Sequence, residues 1–226
     1  KLLRQAIELD DTLISAKVLL GLTYSDMGDY DEAMEIYTPA LKQAEKLGDK
    51  TGMGAALNRI GVVYWNKGEY DKALEYYDRS LKIQEEIADK LGMGHTLNNI
   101  GIVHADKGEY DKALEYYDKS LKIYEEIADK LGMGQTSGNI GIVYADKGEY
   151  DKALECYDRS LKIREELGDK RGMGYTLNSI GIVHMNRGDY DTALEYYDRS
   201  LKIQEEIGDK YGMGYSLNSI GIVHYY

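Results

Sequence analysis

The sequence predicts an all-α chain, a solenoid of antiparallel helix pairs. Three observations predict it. The triplet Gly-Met-Gly starts at Gly52, Gly92, Gly132, Gly172 and Gly212, a strict period of 40. Each unit carries two stretches whose apolar residues recur at three- and four-residue spacing, the period of a helix. A glycine such as Gly108 separates the two stretches, and glycine reaches the left-handed conformation without a Cβ clash. Such self-similarity marks stacked units that bury their core between neighbours, so length counts units rather than domains.

A single array over residues 1–226 is expected, with full repeats at 12–50, 51–90, 91–130, 131–170 and 171–210. Residues 1–9 read as the second helix of a truncated repeat, and 211–226 as a first helix without its partner. Repeats 51–90 and 91–130 are identical at 30 of 40 positions, which points to internal duplication or to consensus engineering. In the first helix Leu97, Ile100, Gly101 and His104 share one face, and Asp89 supplies a capping oxygen at its start. The second helix begins near Tyr110 and Asp111, with Ala113, Leu114, Tyr117, Leu121 and Ile127 as its apolar stripe. Gly48, Gly168 and Gly208 stop it. Ala88 and Ala128 replace them, so those two junctions are expected to be more continuous. Gly61, Gly101, Gly141, Gly181 and Gly221 lie inside the first helices, where glycine costs roughly 1 kcal/mol relative to alanine. Close approach of the partner helix at Ala73, Ala113, Ala153 and Ala193 is the expected reason.

Composition narrows the function. The formal net charge is −12 at pH 7, so nucleic acid is not an expected partner, since phosphate binding needs clustered Lys and Arg. A neutral-to-basic protein surface suits it better. No apolar run approaches the length of a membrane span, so no membrane contact is expected. Cys156 is the single cysteine, which excludes an internal disulfide. The expected location is cytoplasmic.

Gly101, His104, Gly108, Tyr110, Ala113, Tyr117 and Ser120 form a pattern that resembles the tetratricopeptide repeat (TPR). It recurs from Gly21, Tyr24, Gly28, Tyr30, Ala33 and Tyr37 through Gly181, His184, Gly188, Tyr190, Ala193 and Tyr197. The 40-residue period is longer than the usual TPR and is similar to the repeats of kinesin light chains and of Pins/LGN-type adaptors. The segment GDKRGMGYTLNSIG at 168–181 is especially similar to the latter. Gln5–Gly21 resembles the joint of an ordinary, shorter TPR. The resemblance implies a right-handed superhelix whose first helices line a concave groove. It also implies a protein-interaction scaffold that holds a peptide segment of its partner in that groove. The truncated ends would expose Leu2, Leu3 and Ile7, or Ile220 and Val223, and favour end-to-end self-association.

The second helices are nearly copied while the first helices vary along one stripe. Its first site holds Ala55, His95, Gln135, Tyr175 and Tyr215, and its last sites hold Trp65, Asp106, Asp146 and Met185 among others. Between them run the amides Asn58, Asn98, Asn99, Asn139, Asn178 and Asn218, with Arg59 beside the first. A carboxamide both donates and accepts, so these side chains suit a peptide backbone; they equally suit bonds between neighbouring helices. The chaperone-type TPR groove clamps a C-terminal carboxylate with Lys and Arg. Here the stripe offers Arg59 against Asp26, Asp106 and Asp146, so a basic segment with apolar anchors is the better fit.

No catalytic residue, metal or cofactor is expected. His104, His184 and His224 stand one per repeat, in the place of Tyr24, Tyr64 and Tyr144, and read as packed rings. Cys156 stands where Tyr76, Tyr116 and Tyr196 do. Gly-Met-Gly lacks the spacing of a phosphate loop and reads as a helix–helix contact. The pairs Glu85–Glu86, Glu125–Glu126, Glu165–Glu166 and Glu205–Glu206 diverge around the helix and read as a solvated face with nearby Lys. Two other readings stand beside the scaffold. One is a sensor or oligomerisation array of a larger regulatory protein, and the other is an engineered array without a natural ligand.

Overall fold

A computed structural model describes residues 2, 3, 5, 10 and 13–225. Eleven helices occur among the described residues. They are α1 (Ile14–Asp26), α2 (Tyr30–Leu47), α3 (Lys50–Asn66), α4 (Tyr70–Glu86), α5 (Lys90–Asp106), α6 (Tyr110–Glu126), α7 (Lys130–Asp146), α8 (Tyr150–Leu167), α9 (Lys170–Arg187), α10 (Tyr190–Ile207) and α11 (Lys210–Tyr225). Most of the helix expected over 1–9, Ile7 included, lies outside the described residues, as does Tyr226. The chain packs as two compact units, 1–123 and 124–226, with the boundary inside α6. No helix among the described residues is long and apolar enough to cross a membrane.

Odd-numbered helices are the first members of the pairs and even-numbered ones the second. The turn inside each pair is set by a left-handed glycine: Gly28, Gly68, Gly108, Gly148 and Gly188 have φ between 73° and 84°. The start of the next pair is set by an aspartate. Asp49, Asp89 and Asp169 each accept the backbone N–H three residues on at 2.9 Å. That satisfies one of the N–H groups left unpaired at a helix start.

Two sequence expectations need correction. The junctions at Ala88 and Ala128 are as sharp as those with glycine. Both alanines take the left-handed conformation, at φ 53° and 55°. The N–H groups of Asp89 and Asp129 bond back to the Gln84 and Tyr124 carbonyls at 2.9 Å, the closure also seen after Gly48 and Gly168. The following helix must fold back, and its aspartate cap fixes where, so the alanine accepts a conformation costing it roughly 1–2 kcal/mol.

The second correction concerns the glycines inside the first helices. A Cβ on Gly61, Gly101 or Gly141 would lie 2.6 Å from the ring of Tyr77, Tyr117 or Tyr157 on the partner helix. The partner is thus a tyrosine ring rather than the small alanines. Those tyrosines are 1–3% exposed, so the rings fill the interior where the glycines leave room.

The Gly-Met-Gly motif does serve helix contact. The second glycine of the motif offers its carbonyl to a serine of the partner helix. Ser80, Ser120 and Ser160 donate to Gly54, Gly94 and Gly134 at 2.8 Å, and Ser200 to Gly174 at 2.7 Å. All four serines are completely buried. The acidic pairs lie at the solvated face as read. Glu86, Glu166 and Glu206 meet Lys50, Lys130 and Lys170 at 2.7–3.1 Å, exposed pairs worth little individually.

Candidate peptide-binding site

The varying stripe is best described unit by unit. In the first unit, Asn58 is buried and donates to Thr96 Oγ1 at 2.9 Å, and Thr96 donates to Gln84 Oε1 at 2.8 Å. Asn99 Nδ2 lies 3.4 Å from Asn58 Oδ1. This chain of bonds joins α3, α4 and α5, so here the amides tie helices to one another. The Trp65 indole N–H donates to Asp106 at 2.5 Å, which brings together two residues 41 apart in sequence. Arg59 is half-buried near the Tyr37 and Tyr77 hydroxyls. Burial pushes the Tyr37 hydroxyl up to about 12 despite that guanidinium. His95 is exposed and Asn98 half-buried.

In the second unit the stripe opens into a concavity of about 450 Å³. It is lined by Asp146, Tyr175, Asn178 and Tyr215, four of the residues singled out from sequence. Helix α7 contributes Asp146 at its last turn, α9 contributes Tyr175 and Asn178 one turn apart, and α11 contributes Tyr215. Asn178 is 3% exposed, and its Oδ1 is buried without a hydrogen-bond donor. The Tyr175 hydroxyl donates to Asp209 at 3.2 Å, and Arg171 Nε lies 3.4 Å from the same carboxylate. That pairing draws Arg171 toward Asp209, whose carboxyl is held below its ordinary range, chiefly by the Gly212 N–H. Burial raises the Asp146 carboxyl and the Tyr157 hydroxyl beneath it.

The remaining candidates lie elsewhere. Met185 is half-buried and receives the Tyr197 hydroxyl at 3.9 Å. Gln135 and Asn218 are exposed, and Asn139 is half-buried. Ser179 and Ile182 line the concavity one and two turns along α9 from Tyr175, and Tyr157 and Tyr211 line it from outside the stripe. For Tyr211 a signal existed: its position holds Thr51, Leu91, Leu131 and Arg171 in the other repeats, and it stands four residues before Tyr215.

Two of the three histidines read as packed rings are so, His104 and His184, whereas His224 is exposed. His104 stacks on Tyr116 with ring centroids 5.3 Å apart, and its Nδ1 lies 2.8 Å from Glu109. His184 stacks on Tyr196 at 5.5 Å, as Tyr64 does on Tyr76 at 5.3 Å. Cys156 is half-buried, and burial pushes its thiol up, away from a reactive thiolate. Among the described residues no group of three or more His, Cys, Asp or Glu could hold a metal ion.

A family model described as the tetratricopeptide repeat matches residues 12–86, 52–126, 92–166, 132–183 and 172–226. No curated protein matches the chain by sequence. Solved structures with this fold include a signal transduction ATPase with numerous domains (STAND) and a tetratricopeptide repeat sensor, from Pyrococcus horikoshii. It is 18% identical at a TM-score of 0.83, over 98% of this chain and 34% of that one. A Rap protein complexed with competence and sporulation factor is 18% identical at a TM-score of 0.81, over 93% of this chain and 62% of that one. A putative kinesin light chain with nearly identical TPR-like repeats, from Podosopora anserina, is 15% identical at a TM-score of 0.68, over 88% of this chain and 98% of that one.

Proposed function

Because this chain belongs to the tetratricopeptide repeat family, whose members are generally non-enzymatic protein-interaction scaffolds, we propose that it binds a peptide segment of a partner along the varying stripe. Repeats divided at 12–50, 51–90, 91–130, 131–170 and 171–210 present that stripe once each. The observation that carries the reading is the concavity of the second unit. Its wall joins Asp146, Tyr175 and Tyr215, from sites that vary against a copied background, to the recurrent amide Asn178. Tyrosines supply broad contact area at little cost in side-chain freedom, and a buried amide fixes orientation. Binding is noncovalent, and the segment is neutral to basic with apolar anchors. His95, Asn98, Asn99, Gln135 and Asn139 would extend the contact along the stripe.

The similarity to a Rap protein complexed with a factor supports a bound segment. The similarity to a protein with a repeat sensor favours the alternative, an array sensing inside a larger regulatory protein. End-to-end association is a third element of the proposal; Val223 and Ile220, expected to be exposed there, are buried and half-buried, and the support comes from exposed Tyr211, Leu217, Ile222 and Tyr225 on α11.

The test is selection of a displayed random-peptide library on the whole chain. Peptides should be enriched, and Tyr175→Ala with Tyr215→Ala should weaken them at least tenfold. No enrichment, or affinity untouched by both changes, overturns the reading.

A further inference from the structure

Asp146 and Asp106 hold the same place in their repeats, at the last residue of α7 and of α5. Asp106 accepts the Trp65 indole N–H. The residue that stands one repeat after Trp65 is Ala105, which has no donor to offer. Asp146 has neither an ion pair nor a hydrogen bond among the described residues, and burial is the one influence that moves its carboxyl. It is open to solvent on one side and faces the concavity on the other. Asn178 lines the same wall, with its Oδ1 buried behind the surface and met by no donor. The lining holds no Lys or Arg, and it holds four tyrosines, Tyr157, Tyr175, Tyr211 and Tyr215.

A wall with a carboxylate and no cation asks its ligand for donors and positive charge. Ammonium and guanidinium both carry charge. Ammonium is a compact, strongly hydrated point. Guanidinium is planar, holds five N–H donors, sheds water more readily and stacks on aromatic faces. A wall of tyrosines beside a carboxylate suits the plane better than the point.

We propose that this concavity takes the guanidinium of an arginine presented by the bound peptide, with Asp146 as counter-ion and the tyrosines as its stacking faces. The proposal rests on the peptide-binding reading above and names the residue that anchors it. The chain's overall negative charge draws such a segment toward the site.

The experiment is an NMR titration of the whole chain with Nα-acetyl-arginine amide. Nα-acetyl-citrulline amide serves as the comparison, since it keeps the shape and loses the charge. Arginine amide should give saturable shifts at the Asn178 side-chain amide and at Tyr175 and Tyr215. Citrulline amide, or Asp146→Asn, should weaken binding about tenfold. Asp106→Asn should leave it unchanged. Equal binding of citrulline, indifference to Asp146→Asn, or shifts centred on Asp106 overturn the assignment. The probe is a single residue, so its outcome is separate from the library's. Enriched peptides without arginine, lost on Tyr175→Ala, leave peptide binding standing and remove the arginine.

Discussion

Repeats 91–130 and 131–170 differ at nine positions, yet they treat their shared residues differently. The first keeps Leu97 in the interior at 6% exposure. The second places Ser137 there at 2%, its hydroxyl buried with no partner. The first closes its last turn with Ala128 and the second with Gly168. Asp106 is tied to an indole while Asp146 is left with an unmet charge. The letters at 106 and 146 are identical, so the difference comes from what surrounds them. In an array this repetitive, a residue's role is decided by its neighbour in the adjoining unit as much as by its own chemistry.

Exchanging the core residues should sharpen the contrast most. Leu97→Ser should cost about 3 kcal/mol, because it removes buried apolar area and leaves a hydroxyl unbonded. Ser137→Leu should return about 2 kcal/mol. Urea unfolding of the whole chain reads both. A Ser137→Leu midpoint at or below that of the parent would show that the site cannot hold the larger side chain.

The junction residues should give a smaller effect of opposite sign in the two repeats. Ala128→Gly relieves a left-handed alanine and loosens the unfolded chain, a net gain of about 0.5–1 kcal/mol. Gly168→Ala should lose a similar amount. Thermal midpoints that move together would break the comparison at this position.

Acid should produce the smallest difference. Lys112 first and His104 second hold the Glu109 carboxyl down to about 2. Glu149 is also lowered, chiefly by Lys152, but Tyr144 replaces the histidine. A lowered carboxyl favours the folded state above its ordinary range, and that advantage fades as pH falls from about 4.5 toward about 2. Glu109→Gln should therefore flatten the fall of the thermal midpoint across that window more than Glu149→Gln does. Equal flattening would assign the effect to the lysines alone.

Much of the fold was readable in the residues. Spacing gave the order of the helix pairs, Gly108 gave the turn within a pair, and Asp89 gave the cap that opens the next. The two misreadings share a cause. Local preference made Ala88 and Ala128 look permissive of a longer helix, whereas the return of the chain overrides that preference. Proximity in sequence made Ala113 look like the partner of Gly101, whereas the longer reach of the Tyr117 ring fills that space. The site was legible where the stripe varies, at Asp146, Tyr175 and Tyr215, and at the recurrent amide Asn178. Ser179 and Ile182 follow Tyr175 at four and seven residues along α9, whereas Tyr157 belongs to the site through packing between helices, which no spacing within one helix announces.

The hydroxyl-to-carbonyl bond from Ser120 to Gly94 recurs between Ser80 and Gly54, Ser160 and Gly134, and Ser200 and Gly174. Each hairpin thus carries its own sliding stop, a fixed notch that sets how far one rod may shift along the other. Whole hairpins could be added or deleted without upsetting the alignment inside those that remain. Array length then becomes an adjustable dial, independent of the surface each hairpin displays.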